Sequence, residues 1–194
     1  MSLFGGKSGG LRAARRIRVN GRKLSEVLEA HGRFVRGEEG GARAELAGAD
    51  LSRADLSKAN LNYADLQGAD LEGAHLREAK LASADLSNAK LAGADMRKAD
   101  LTEAHLDGAD LSGAQAGGAE FFRASLQKAN LQRGDFVATN FRDANVDGAN
   151  FDGAVLRTAI LRETKLEGVD LSRTEGLETA LLPRGYRSPA AAKT

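Results

Sequence analysis

The chain has 194 residues with no Cys, no Trp, two Pro and 23 Gly, and 28 Lys/Arg against 27 Asp/Glu give a formal net charge of +1. That composition excludes a disulfide framework, a thiol nucleophile and a zinc–thiolate centre, and no run of about 20 apolar residues is present to span a membrane. The small net charge conceals an asymmetry: residues 1–44 carry ten basic and four acidic side chains, residues 45–175 carry 15 and 22, and residues 176–194 carry three and one.

Taken in chain order, residues 1–23 read as a basic, largely flexible arm. They lack the apolar core of a secretory signal, so a cytoplasmic location is expected. "GGKSGG" has neither the spacing nor the context of a phosphate loop. Arg12, Arg15, Arg16 and Arg18, with Arg22 and Lys23, could meet nucleic acid or an anionic membrane surface. Few apolar residues accompany them, and the expected role is a solubilising tail that neutralises the acidic body. Within the arm, "RIRVNG" reads as a short edge strand ending at Asn20-Gly21.

Residues 24–43 read as a helix and its link. "LSEVLEAHGRFVRG" has Ser25 as candidate N-cap, Glu26 and Glu29 in the first turns, Arg33 and Arg36 in the last, and Gly37 to end it. Val27, Leu28, His31, Phe34 and Val35 form its apolar side.

From Leu46 to Leu171 an apolar residue recurs every five positions, giving 26 pentads without insertion or deletion over 44–175. Writing the centre as i, position i−2 is mostly Ala, and position i−1 is Asp or Asn in 15 of 26. A helix would advance such centres by about 140° each and scatter them around its surface. A flat strand would turn successive centres to opposite faces. Within a pentad, however, Ala at i−2 and the centre lie on one side of a short extended segment, with i−1 pointing out. A corner at i+1 and i+2 then restores the orientation, and repetition winds a coil with its leucines inside. Gly at i+2 in ten pentads suits tight corners. The other sixteen lack it, so positive φ is not expected at every corner.

"ADLSRADLSKANL" and "ADLQGADLEGAHL" resemble the pentapeptide-repeat proteins, whose consensus is Ala-(Asp/Asn)-Leu-X-X. The resemblance implies an all-β solenoid: a right-handed quadrilateral β-helix of four pentads per coil and about 6.5 coils. A helix followed by a Gly-rich link is similar to the N-terminal element of many members, which makes 24–43 an expected α-helical cap. Residues 176–194 are expected to supply a C-terminal cap from Leu177, Leu181 and Leu182, stopped by Pro183, and a flexible tail.

One centre departs sharply: Ala116, followed by Gly117 and Gly118. With Met96 and Phe136 one coil away, repacking or a local bulge is expected there. The Phe centres 121, 136, 141 and 151 fall in the C-terminal half, where the interior should be wider.

The sequence offers no catalytic, cofactor-binding or metal-binding residues, and neither enzyme activity nor a small-molecule substrate is expected. His75 and His105 are six pentads apart, on opposite sides of a four-sided coil, and the Asp residues point outward around the axis. The expected role is a rigid protein-interaction scaffold for a protein partner the sequence does not name. Outward apolar residues Phe122, Val137, Val155 and Ile160 form the candidate surface, for a partner, a homodimer, or the chain's own Leu181 and Leu182. The alternative is a DNA mimic acting on a type II topoisomerase, a role the family resemblance implies for some members. Its candidate acidic face is Asp65, Asp85, Asp107, Asp147 and Glu167.

Overall fold

The computed structural model describes residues 11–186. From residue 45 to residue 145, each i−1 residue makes a parallel bridge to the residue 20 positions later. One column runs Glu45, Asp65, Asp85, His105, Ser125, Asn145, Lys165, and three further columns begin at Asp50, Asp55 and Asn60. A coil therefore takes 20 residues, or four pentads. Pairing uses three main-chain N–H donors per pentad. The Leu66 and Gly68 N–H groups donate forward to Asp85 and Ser87 carbonyls at 2.7 and 2.8 Å, and the Asp65 N–H donates back to the Ala44 carbonyl at 3.0 Å.

Each corner closes with a hydrogen bond from the next pentad's first N–H to the preceding centre's carbonyl, as from Ala69 to Leu66 at 3.0 Å. Positive φ occurs at every i+2 residue from Gly48 to Gly168, ten of them Gly and fifteen not. That is the signature of a type II turn, and it corrects the expectation that corners without Gly avoid this conformation. Even Thr158 sits at φ 55°. A left-handed non-Gly residue costs roughly 1–2 kcal/mol, and the ladder on both sides of the corner holds it there.

The corner also explains the Asp/Asn at i−1. The N–H of i+1 has no place in the main-chain ladder. All fifteen Asp or Asn residues at i−1 accept it on their Oδ1, at 2.9–3.3 Å. These are Asx turns, in which the side chain substitutes for a main-chain acceptor. Where i−1 is Lys80, Ser125 or Lys165, a side chain one coil below serves instead: Asn62, Asp107 and Asp147 accept the N–H groups of Ala82, Gln127 and Glu167.

The centres and the i−2 alanines form one buried column. At Ala116 the ladder continues without a bulge, since Gln115 pairs with both Asp95 and Asp135. The missing volume is returned one coil later by Phe136, whose ring occupies the space a Cβ on Gly134 would need, only 2.4 Å away. The Phe121 and Phe141 rings stack at 5.1 Å, and Phe136 and Phe151 pack against Phe141 at 5.6 and 6.0 Å. Thr139 and Thr164, replacing Ala, donate their buried hydroxyls to the carbonyls of Ala116 and Phe141.

At the N-terminal end, residues 12–23 are an ordered part of the fold, which corrects their reading as a flexible arm. Strand β1 (Arg12–Ala13) pairs in parallel with β4 (Ala54–Asp55), and β2 (Arg18–Val19) forms a hairpin with β3 (Arg22–Lys23) through Asn20-Gly21. Ile17 and Val19 are buried in the core. Helix α1 (Leu24–Val35) follows at once. It begins before Ser25, which is not its N-cap; Lys23 takes that position, and the Glu26 carboxylate accepts the Lys23 N–H at 3.3 Å. Leu24, Val27, Ala30 and His31 are buried, whereas Phe34, placed by the sequence on the apolar side, is exposed. The link returns along the helix so closely that a Cβ on Gly41 would lie 2.4 Å from the Phe34 nitrogen.

At the other end the spacing changes. Val155 still pairs with Glu175, but Ile160 pairs with Leu181, one residue beyond the 20-residue step. Gly176 at φ 74° and a 3₁₀ turn over Leu177–Thr179 absorb the extra residue. Leu177 and Leu182 pack on the last layer of the column.

Candidate interaction surfaces

No helix among the described residues is long and apolar enough to cross a membrane. Nor do three or more His, Asp or Glu residues gather among them as a metal ion would require. His75 and His105 stand in different columns, paired with Asp55 and Asp95 and with Asp85 and Ser125.

The candidate acidic face divides into two columns. Asp65 and Asp85 are ladder neighbours below His105. Asp107, Asp147 and Glu167 lie in the parallel column of i+1 residues. Each Asp is engaged at a corner: Asp65 by the Gln67 N–H, Asp85 by Ser87, Asp107 by Gln127 and the Ser125 hydroxyl, Asp147 by Glu167. Burial pushes the Asp85 carboxyl up, but hydrogen bonds from Ser87 outweigh it and hold the group below the usual range. Local turn chemistry thus accounts for the carboxylates that the period placed outside.

The opposite face holds a group that the sequence did not single out as buried. Asp95, at an outward i−1 position, is 5% exposed. Arg97 grips it with two hydrogen bonds of 2.8 and 2.6 Å, and Arg77 lies 3.8 Å away. Hydrogen bonds from Arg97 hold its pKa low against the opposing effect of burial. Two stacked i+1 arginines flanking one Asp were the available signal, because columns of i+1 residues bring side chains from successive coils together.

The apolar candidates do not form one surface. Val137 and Val155 lie on one side, Ile160 follows at the next corner, and all three are half-buried. Leu181, 43% exposed, extends this patch as the ladder partner of Ile160. Leu182 instead packs on the column end. Phe122 lies two coils below Ile160, and the Arg123 guanidinium covers its ring at 4.8 Å.

Of the basic candidates, only Arg12 neutralises the body, donating to the Asp50 carboxylate at 2.7 Å. Hydrogen bonds from Ser52 and Arg12 hold Asp50 below its ordinary pKa. Arg15, Arg16 and Arg18 are exposed. Arg18 donates to the Gly21 carbonyl inside the hairpin.

A family model for pentapeptide repeats matches residues 42–78, 79–115, 119–157 and 135–173. The sequence matches no curated protein. Among solved structures it is similar to HetL of Nostoc sp. strain PCC 7120, a pentapeptide repeat protein involved in heterocyst differentiation regulation. The two are 30% identical over 73% of this chain and 78% of HetL, with a TM-score of 0.43. It is 28% identical to alr5209, a pentapeptide repeat protein of Nostoc PCC 7120, over 48% of this chain and 77% of the other, at TM-score 0.45. QnrB1, a plasmid-mediated fluoroquinolone resistance protein, is 18% identical over 70% and 83% of the two chains, at TM-score 0.32. The pentads, their 20-residue ladder and the family match together make this chain a member of the pentapeptide-repeat family, a right-handed β-helical solenoid.

Proposed function

We propose that the protein is a non-enzymatic, cytoplasmic scaffold: a quadrilateral rod of about 6.5 coils, closed at its N-terminal end by α1, that binds a protein partner through its side. The observation that carries this reading is the column itself, whose centres fill the interior and leave only outer surfaces for recognition. Val137, Val155 and Ile160, with Leu181 beside them, supply the apolar patch that such a partner, or a second copy of the chain, would cover. Phe122 offers a separate contact lower on the rod.

The competing proposal is a DNA mimic that occupies a type II topoisomerase through the acidic face. The aligned Glu45, Asp65 and Asp85 favour it, but their column continues into His105, Ser125, Asn145 and Lys165. A gyrase supercoiling assay with the purified chain separates the two. The scaffold leaves supercoiling unchanged at micromolar concentration. Inhibition that disappears on reversing Asp65, Asp85 and Asp107 to Lys would sink it. In cells, a photo-crosslinker at Val155 should capture one partner that the added double change V137E/I160E releases.

A further inference from the structure

We infer that the N-terminal tip of the rod binds the phosphate backbone of a nucleic-acid duplex end-on, without reading its sequence, through Arg15, Arg16, Arg18 and Arg22. This is independent of the lateral scaffold surface.

The first argument is the state of ion pairing. Near the tip, Lys23 lies 3.9 Å from Glu26, Arg33 bonds Glu29 at 2.9 Å, Arg36 bonds Glu38 at 2.6 Å, and Arg12 is held by Asp50. Among the described residues, Arg15, Arg16, Arg18 and Arg22 have no carboxylate within 4.0 Å. Four exposed guanidinium groups thus occur within eight residues with no counter-charge.

The second argument is rigidity. Arg15 and Arg16 stand on a 3₁₀ turn over Ala14–Arg16, and Arg18 and Arg22 stand on the β2–β3 hairpin. Ile17 at 1% and Val19 at 7% exposure anchor the segment to the core, and β1 ties it to the first coil. The hairpin sets Arg18 directly opposite Lys23, a like-charged cross-strand pair in which Glu26 lies 3.9 Å from Lys23 and no carboxylate meets Arg18. A preorganised cationic surface loses little conformational freedom on binding.

The third argument concerns the class of anion. The hairpin buries its own apolar side chains, Ile17 and Val19, and Leu11 and Phe34 are the exposed large apolar residues at this end, two single side chains against four guanidinium groups. The charge is presented on forks that match phosphate oxygens bidentately. The body beyond residue 44 is acidic, with 15 basic and 22 acidic side chains over residues 45–175. A duplex lying along the rod would be repelled, so contact is confined to the tip.

The test uses the full chain and a fluorescein-labelled 20-bp DNA duplex, read by anisotropy between 50 and 200 mM salt. Four phosphate contacts predict a log–log slope near −3.6, or a loss of affinity on the order of a hundredfold over that range. The triple change R15Q/R16Q/R22Q should flatten the slope by about 2.7 without changing the melting temperature, while K98Q/K128Q on the rod should change neither. Absence of salt-dependent binding, or an unaltered slope in the triple variant, would overturn the proposal. Retention on phosphatidylserine vesicles without duplex binding would overturn it in favour of a membrane.

Discussion

Asp95 shows how far a single position can depart from its place in a repeat. By period it is one more outward i−1 residue, and its corner bond to the Arg97 N–H is the ordinary one. What sets it apart is the pair of arginines below and beside it, which seal the carboxylate from water. Replacing Asp95 with Ser leaves two guanidinium groups without their acceptor and should cost about 1–3 kcal/mol. Asp70→Ser, which loses only a corner bond, should change stability by roughly 0.5 kcal/mol or less. Urea unfolding of the two variants checks this, and equal midpoints would remove the network from the account. The sign with pH follows from the lowered pKa. The folded state binds the Asp95 proton more weakly than the unfolded chain does. Its stabilisation is therefore present above the usual carboxylate range and lost as pH falls through the depressed folded value. The fifteen left-handed corner residues carry the same lesson, because nothing in Thr158 or Tyr63 announces positive φ.

At the scale of elements, the pentads were legible and the N-terminal segment only partly so. A centre every five residues with Ala two before it specifies inside and outside whatever the handedness or number of coils. No such period runs through residues 12–23. Asn20-Gly21 marked the turn, but the pairing of β1 with a strand 42 residues later has no local signature. Nor did the helix pattern show that Phe34 would be displaced outward by the returning link at Gly41. His31 joins these pieces. Its Nδ1 accepts the Ala44 N–H at 3.0 Å where the link enters the first coil. Burial lowers its pKa, the Asn62 main-chain carbonyl opposes this, and Arg43 adds to the lowering. As pH falls, the unfolded chain takes up this proton first. The His31 contribution is therefore intact above about 6.5 and is lost as pH descends toward the folded value, at up to about 1.4 kcal/mol per unit. Melting at pH 7.5 and 5.5 should show a fall that His31→Gln reduces. An identical fall in the variant would assign it to other groups.

For the whole molecule, stability belongs to the column, because each coil rests only on its neighbours. Leu91 is fully buried near the middle. Leu91→Asp places a charge with no partner between two coils and should abolish the cooperative thermal transition, read by circular dichroism. Survival of a single sharp transition would mean that the two halves fold without needing that layer.

The exchange of volume between Ala116, Gly134 and Phe136 has a consequence for how a monotonous chain finds its own order. Coils built from interchangeable Ala and Leu pair almost equally well with any other coil, so a chain could skip twenty residues and still bury its leucines. A bulky ring accommodated only where both a small centre and a bare backbone meet it makes such slips sterically unfavourable. These irregular residues act as an address within the sequence, fixing which turn of the spiral lies on which.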